Sequence, residues 1–235
     1  MGKGTLYLIP TTLGRVDPHQ TIPLGVYDVL EQVDELIVES EGEAMRFLGR
    51  LGLKRPLAEI ALRRCDRETR PSEIPLLLAG LEEGRKIGIM SDAGSPGIAD
   101  PGADLVRFAH DRGFRVVPLV GPSSLLLALM SSGANAQSFV FHGYLPQERP
   151  RRLDAIREME RDLDAHGRTQ LFIEAPHRND HLLEDLVASL KEATRLCVAV
   201  DLTLPTEQVR SAPVSAWRET PLSIGKRPAI YVVYR

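Results

Sequence analysis

The chain has 235 residues, of which 43% are hydrophobic and 26% charged, and a net charge of −3. That balance suits a soluble globular protein of one large or two small domains and exerts no overall pull toward nucleic acid. The longest apolar stretch, Leu125 to Met130, is far too short to span a membrane, and two cysteines in separate segments, Cys65 and Cys197, suggest neither a disulfide framework nor a metal site.

Thr5-Leu6-Tyr7-Leu8-Ile9-Pro10 lacks the length and cleavage pattern of a signal-peptide core and reads as a first strand, so a cytoplasmic address is expected. Further strands are expected at Glu35–Glu39, Ile87–Met90 and Arg115–Leu119, with helices over Leu24–Val33, Glu43–Leu51, Ser72–Glu83 and Pro101–Arg112. In the last of these, Leu105, Val106 and Ala109 fall on one face. Alternation of this kind predicts an α/β domain with a mostly parallel sheet. Val120-Gly121-Pro122-Ser123-Ser124 interrupts the pattern and opens a helix through Met130, which sets the expected boundary between domains 1–120 and 121–235. Beyond it come a strand at Ser138–His142, a helix at Arg149–Leu163, a strand at Thr169–Glu174 and a helix at Arg178–Leu190. The stripe Leu182, Leu183, Leu186, Val187, Leu190 makes that last helix core-facing. Arg195–Val200 and shorter strands ending at Ala229–Tyr234 follow without intervening helices, which predicts a mixed second sheet.

The most informative stretch is Ser91-Asp92-Ala93-Gly94-Ser95-Pro96-Gly97, directly after the apolar Ile87–Met90 run, with Asp100-Pro101 reading as a helix start. A strand, a compact loop of small residues and a helix N-terminus form a ligand ledge at the carboxyl edge of an α/β sheet. Pro10-Thr11-Thr12-Leu13-Gly14, Gly121-Pro122-Ser123-Ser124, Gly143-Tyr144-Leu145-Pro146 and Glu174-Ala175-Pro176-His177-Arg178 share that strand-end character. Together they imply a cleft between two α/β domains. There is no G-x-G-x-x-G after the first strand, no phosphate-loop lysine motif and no G-x-S-x-G elbow. His142 and His177 lack metal-ligand spacing and read as structural histidines. Asp92 and Asp100 are too few for a hard-metal site, so no metal is expected. Two basic clusters, Arg63/Arg64/Arg67/Arg70 and Arg149/Arg151/Arg152/Arg157, read as solvated faces mixed with acidic residues, with phosphate contact as the alternative.

Gly4-Thr5-Leu6-Tyr7-Leu8, Ser91–Pro96, Asp100-Pro101-Gly102 and Val117-Pro118-Leu119-Val120-Gly121-Pro122-Ser123 resemble the tetrapyrrole methylase superfamily. Gly143-Tyr144-Leu145-Pro146, Glu174–Arg178 and Asp201-Leu202-Thr203 are similar to its branch of bacterial 16S ribosomal RNA cytidine 2′-O-ribose methyltransferases, of which the chain resembles a divergent paralogue. The resemblance implies S-adenosylmethionine held folded between the two domains. It also implies a homodimer acting on RNA or a ribosomal subunit, without membrane association. By resemblance, Ser91, Asp92, Ala93, Gly94 and Ser95 line the cofactor's amino-acid and ribose side. Ser123 and Ser124 flank it, and Ala175 and Pro176 lie near the adenine. Pro10, Pro96, Gly121, Pro122, Gly143, Tyr144, Leu145 and Thr203 complete the implied cofactor set. Domain 1–120 would carry the acceptor side and part of the cofactor site, and 121–235 would complete the latter.

The pattern departs from that branch on the acceptor side. Thr11-Thr12-Leu13-Gly14-Arg15-Val16 replaces Thr-Pro-Ile-Gly-Asn-Leu and is followed by an apparent short insertion, Asp17–Thr21. Glu39-Ser40-Glu41-Gly42 replaces Glu-Asp-Thr-Arg, Gln147-Glu148-Arg149 replaces a lysine-bearing loop, and Val200-Asp201-Leu202-Thr203-Leu204 replaces Arg-Glu-Leu-Thr-Lys. Shedding cations weakens a hold on phosphates. A hydroxyl acceptor must also lose a proton as the new bond forms. Glu39 and Glu41 are the candidate bases, with a carboxylate-favouring helix N-terminus as the competing reading, and Arg15 is a candidate for holding an anionic acceptor, with a plain surface charge as the equal alternative. Three functions stay open: an RNA methyltransferase, a methyltransferase for a small molecule such as a tetrapyrrole, and a cofactor-binding protein without methyl transfer.

Overall fold

Short apolar runs between polar segments rich in glycine and proline suit a parallel sheet, whose strands are buried on both faces by helices. The computed structural model describes residues 2–99, 102–220 and 222–235. The chain divides into two compact units, Met1–Ser123 and Ser124–Arg235.

In the first unit the order is β1 (Thr5–Ile9), α1 (Leu24–Leu30), β2 (Glu35–Val38), α2 (Glu41–Leu51), β3 (Ala61–Arg64), α3 (Ile74–Leu77), β4 (Lys86–Met90), α4 (Gly102–Asp111) and β5 (Arg115–Pro118). The sheet runs β3-β2-β4-β1-β5 and every pairing is parallel, so all its strands end at one edge. Alternation along β2 divides its side chains between two cores. Leu36 and Val38 join Ile9 and Met90 against Val26, Leu30, Phe47, Leu48 and Leu51 of α1 and α2. Ile37 joins Leu6, Ile87 and Ile89 against Leu105 and Ala109 of α4.

Three expectations change here. The helix from Leu24 stops at Leu30 rather than Val33. The expected Ser72–Glu83 helix is broken into a 3₁₀ turn at Pro71–Glu73, the single turn α3 and a second 3₁₀ turn at Ala79–Leu81. Gly80 in its interior disfavours a continuous helix. Strand β3 was not anticipated, because Ala61-Leu62-Arg63-Arg64 has no apolar run. It is an edge strand whose exposed arginines are compatible with pairing on one side only. The Asp100-Pro101 helix start lies outside the described residues, and α4 is described from Gly102.

The second unit contains α5 (Ser124–Ser132), β6 (Phe139–Tyr144), α6 (Arg149–His166), β7 (Thr169–Ile173), α7 (Asn179–Ser189), β8 (Arg195–Val200), β9 (Gln208–Pro213), α8 (Val214–Glu219) and β10 (Ala229–Tyr234). Its sheet, β6-β7-β10-β8-β9, is mixed as expected: β6 and β7 are parallel and the other pairings antiparallel. Leu182, Leu183, Leu186 and Leu190 enter the core with Val187 packed beside it, as the stripe predicts. Helix α8 was not expected; it buries Trp217, whose indole N–H donates to the Leu196 carbonyl at 2.9 Å. Among the described residues no helix is long and apolar enough to cross a membrane.

Candidate active site

In the first unit the chain leaves β2 toward β3 and leaves β4 toward β5, so the connections diverge between β2 and β4. Ligands of open α/β sheets bind at such a divergence, beyond the carboxyl ends of the strands. Glu39 follows β2 there and Ser91 follows β4. With Cys65 and Met90 they line a cavity of about 10 Å³, the size of one water molecule.

The loops after β1, β4 and β5 are tied together. The Ser91 hydroxyl turns back to the carbonyls of Ala93 (3.3 Å) and Gly94 (3.2 Å). Thr11 donates its amide to the Gly94 carbonyl at 2.9 Å and its hydroxyl to the Ser91 carbonyl at 3.1 Å. The Ser95 hydroxyl donates to the Pro122 carbonyl at 3.3 Å. Gly94 stands at φ +77°, and a Cβ there would meet Leu13 Cδ2 at 3.0 Å and the Pro122 carbonyl oxygen at 3.4 Å. A Cβ on Gly121 would lie 2.2 Å from Pro10 Cβ, an impossible contact. Small residues therefore let three stretches of main chain converge, while Asp92 and Ala93 stay exposed at the loop tip.

Helix α2 delivers charge to the same edge. Ser40 caps it by accepting from the Glu43 amide at 3.3 Å. Arg50 donates to the Val16 carbonyl (3.1 Å) and the Thr12 hydroxyl (3.3 Å), and Arg46 pairs with Glu43. The hydrogen bond from Arg46 holds the Glu43 carboxyl below its ordinary range, with the charges of Arg15 and Arg50 adding to it. Arg46 is held cationic chiefly by Glu43, and the charge of Asp92 also reaches it.

In the second unit β6 and β7 end beside the start of β10, which also lies against the end of β8. The segments after these strands, including Leu145, Glu174–Pro176 and Asp201–Thr203, thus share one sheet edge. The β6–β7 register shifts between Phe141 and Tyr144, with Gly143 at φ +67°; bulges of this kind recur beside active sites. Glu174 Oε1 accepts from the Ala175 amide (2.7 Å) and Arg178 Nε (2.9 Å), while its buried Oε2 has no partner among the described residues. Asp201 and Thr203 stand at φ +52° and +72°, and the buried Thr203 hydroxyl also finds no partner among the described residues. Positive φ at a β-branched residue is uncommon and costs about 1–3 kcal/mol, the kind of strain that collects at functional sites.

A family model described as Tetrapyrrole (Corrin/Porphyrin) Methylases matches residues 5–216. The chain belongs to this family. It is an S-adenosylmethionine-dependent methyltransferase, as the tetrapyrrole methylases are. Among relatives, Ribosomal RNA small subunit methyltransferase I of Escherichia coli O157:H7 is 36% identical over 218 residues, spanning 92% of this chain and 72% of that protein. The protein of the same name from Pseudomonas aeruginosa is 33% identical over the same shares, and that of Synechocystis sp. is 35% identical over 87% of this chain and 69% of its own. The crystal structure of the methyltransferase CobJ shares the fold, with a TM-score of 0.62, 16% identity, and coverage of 99% of this chain and 94% of that one.

The residues present fit the cofactor. The glycine-lined convergence at Gly94 and Gly121 leaves main-chain groups where side chains would intrude, and Asp92 offers an exposed carboxylate suited to hydroxyl donors. Of the residues expected to hold it, Pro10, Ser91–Pro96 and Gly121–Ser123 gather in the first unit. Ser124 opens α5, and Ala175, Pro176 and Thr203 stand at the edge of the second sheet. Tyr144 is exposed there, whereas the Leu145 side chain belongs to the core. Among the catalytic candidates, Glu39 lines the cavity beside Ser91, Glu41 is the exposed first residue of α2, and Arg15 is exposed. Among the described residues no cluster suits a metal.

Thr11 and Thr12 act through hydrogen bonds that their loop composition only hinted at, and Arg46 and Arg50 were missed altogether. Their i, i+4 spacing on the helix after β2 was the available signal. The second basic cluster is not a solvated face throughout. Arg152 is buried, and both its Nε (2.9 Å) and Nη2 (2.7 Å) donate to Asp185, which also receives Arg149. In the first cluster, Arg63 pairs with buried Glu35 and Arg64 with Asp66. His142 is bonded to Gln170 at 2.7 Å, as a structural histidine should be.

Proposed function

We propose that this methyltransferase modifies small-subunit ribosomal RNA, the class of substrate that the names of its relatives state for those proteins, and that, by the family resemblance, the acceptor is a ribose 2′-hydroxyl. The observation that carries the reading is the bonding of Thr11 to Ser91 and Gly94, which joins the segment leading to Arg15 to the loop where the family resemblance sets the cofactor. Substrate and cofactor segments built on one rigid edge are what in-line transfer requires, because positioning supplies much of its rate. By the same resemblance we read the protein as a cytoplasmic homodimer, a state that light scattering on the purified protein tests.

Bound S-adenosylmethionine supplies a methyl group on a cationic sulfur, an activated electrophile needing no metal. By the family resemblance, main-chain groups of Ser91–Gly94 and the Asp92 carboxylate would hold its amino-acid and ribose portions. Glu39 would take the proton from the acceptor hydroxyl as the new oxygen–carbon bond replaces the methyl carbon–sulfur bond, which leaves a neutral thioether. It stands directly after β2 at the strand divergence, beside Ser91, whereas Glu41 occupies a helix N-terminus, where a carboxylate is explained by the helix dipole alone.

The test combines calorimetric titration with S-adenosylmethionine and transfer of a labelled methyl group to small-subunit ribosomal RNA. Saturable binding and label at a ribose that then resists alkaline cleavage are expected, since 2′-O-methylation removes the nucleophile of that cleavage. Cofactor binding with no label in RNA overturns the acceptor assignment. Absence of cofactor binding with RNA present overturns the mechanism.

A further inference from the structure

The stretch 15–21 between β1 and α1 carries exposed side chains, Arg15 and His19 among them, that neither the core nor the cofactor reading uses. It is held in a defined shape. Asp17 caps a 3₁₀ turn at Pro18–Gln20 by accepting from the His19 amide at 3.0 Å. Arg50 clamps the segment at Val16 and Thr12, and Thr11 anchors its start to the Ser91–Gly94 loop. On this framework the rings of His19 and Tyr27 lie parallel and offset, with centroids 5.3 Å apart and planes 8° apart, and Tyr27 Oη bonds His19 Nδ1 at 3.1 Å. His19 is exposed. Arg15, four residues before it, is exposed too and makes no ion pair among the described residues. An exposed histidine ring backed by a half-buried tyrosine on an immobilised segment, with an exposed guanidinium four residues before it in the chain, is a combination suited to single-stranded nucleic acid. Aromatic faces stack bases and cations hold the intervening phosphates.

We infer that Arg15 and the His19–Tyr27 pair form the RNA-docking platform of this protein, His19 stacking on an unpaired base of the acceptor and Arg15 contacting a neighbouring phosphate. This rests on the RNA reading above and deepens it. The platform is rigid before RNA arrives, so little ordering cost falls on binding.

The experiment measures the affinity of the full chain for small-subunit ribosomal RNA across a salt series, alongside the affinity for S-adenosylhomocysteine. The variants are His19→Ala, His19→Phe, Arg15→Gln and, as a charge control on α4, Arg107→Gln. His19→Ala is expected to weaken RNA binding by about fivefold or more, as loss of one stacked base does. His19→Phe, which keeps a planar face without the ring nitrogens, restores it. Arg15→Gln lowers the slope of log affinity against log salt by about one, the signature of one phosphate contact. Cofactor affinity stays at the wild-type value in all of them, and Arg107→Gln binds RNA like wild type. If wild type binds and methylates the RNA while His19→Ala and Arg15→Gln bind it equally well, the platform is wrong and the RNA reading survives. If wild type itself neither binds nor methylates RNA, both fall together.

Discussion

The Thr11 hydroxyl donates to the main-chain carbonyl of Ser91 at 3.1 Å across 80 positions of sequence, and both residues are buried. This bond closes the end of β1 onto the end of β4, so the geometry of the cofactor loop depends on a residue outside it. Thr11→Val keeps the branched shape but leaves a buried carbonyl short of a donor, at a cost of about 1–3 kcal/mol. Denaturant titration should show that loss, and calorimetry a several-fold weaker hold on S-adenosylhomocysteine. Thr11→Ser, which keeps the hydroxyl, should recover most of the binding. Equal cofactor affinity for Thr11→Val and wild type would mean that the loop holds its shape alone.

Backbone convergence gives a second prediction. Gly94→Ala places a side chain at φ +77° with Leu13 at 3.0 Å, and the left-handed conformation alone costs about 1–2 kcal/mol. Gly121→Ala is the more damaging change, because Pro10 at 2.2 Å is a rigid ring that must shift with its backbone. Cofactor affinity should fall for both, and soluble yield and the unfolding midpoint should fall further for Gly121→Ala. The opposite ranking would show that the two loops are not packed as described.

The two carboxylates after β2 should separate cleanly. Glu39→Gln is expected to lower the rate constant for methyl transfer by about 10²- to 10⁴-fold, the usual contribution of a general base, with cofactor affinity intact. Glu41→Gln should cost less than tenfold. Single-turnover rates at saturating cofactor measure this, and a fully active Glu39→Gln variant would remove Glu39 from the chemistry.

Arg152 and Asp185 form the ion pair with the greatest structural consequence, since their side chains are only 9% and 4% exposed. Breaking a buried pair strands a charge, so Asp185→Asn should destabilise the second unit by about 3–5 kcal/mol. The readout is the denaturant midpoint. Arg157→Gln on the same helix, exposed and paired with exposed Asp154, should move it little.

Alkali should also act on the second unit. Burial pushes the Cys197 thiol up to about 11 from its ordinary 9.0, against a lowering hydrogen bond from Ser211. Burial, with the charges of Glu174 and Asp180, raises Tyr231 as well. Both groups hold their protons more tightly when folded. Stability is therefore full below about pH 9 and falls as pH rises, because the unfolded thiol ionises first. For Cys197 the loss amounts to about 2–3 kcal/mol by pH 11. Denaturant midpoints at pH 8 and pH 10.5 should differ, and Cys197→Ala should shrink the difference; an unchanged difference would place the alkaline loss elsewhere.

Local composition and spacing determined much of this protein. Apolar runs at Ile87–Met90, Leu196–Val200 and Ala229–Tyr234 name strands because each is buried throughout, and Thr5–Ile9 does so with Leu6 and Ile9 buried. Small residues after them mark turns, and the leucine stripe of α7 names its buried face, because these signals sit within a few residues of one another. Tertiary structure alone decided the rest. Strand β3 exists because β2 offers it a partner, not because Ala61–Arg64 favours a strand. The Ser72–Glu83 pattern loses its continuous helix in the packed unit. Arg152 is a buried partner of Asp185 rather than a surface charge, and His19 meets Tyr27 only once Asp17 and Arg50 have shaped the segment between them. Spacing along a chain reports periodicity, whereas the partner of an edge strand, a buried guanidinium or an exposed ring is set by long-range packing that no local pattern encodes.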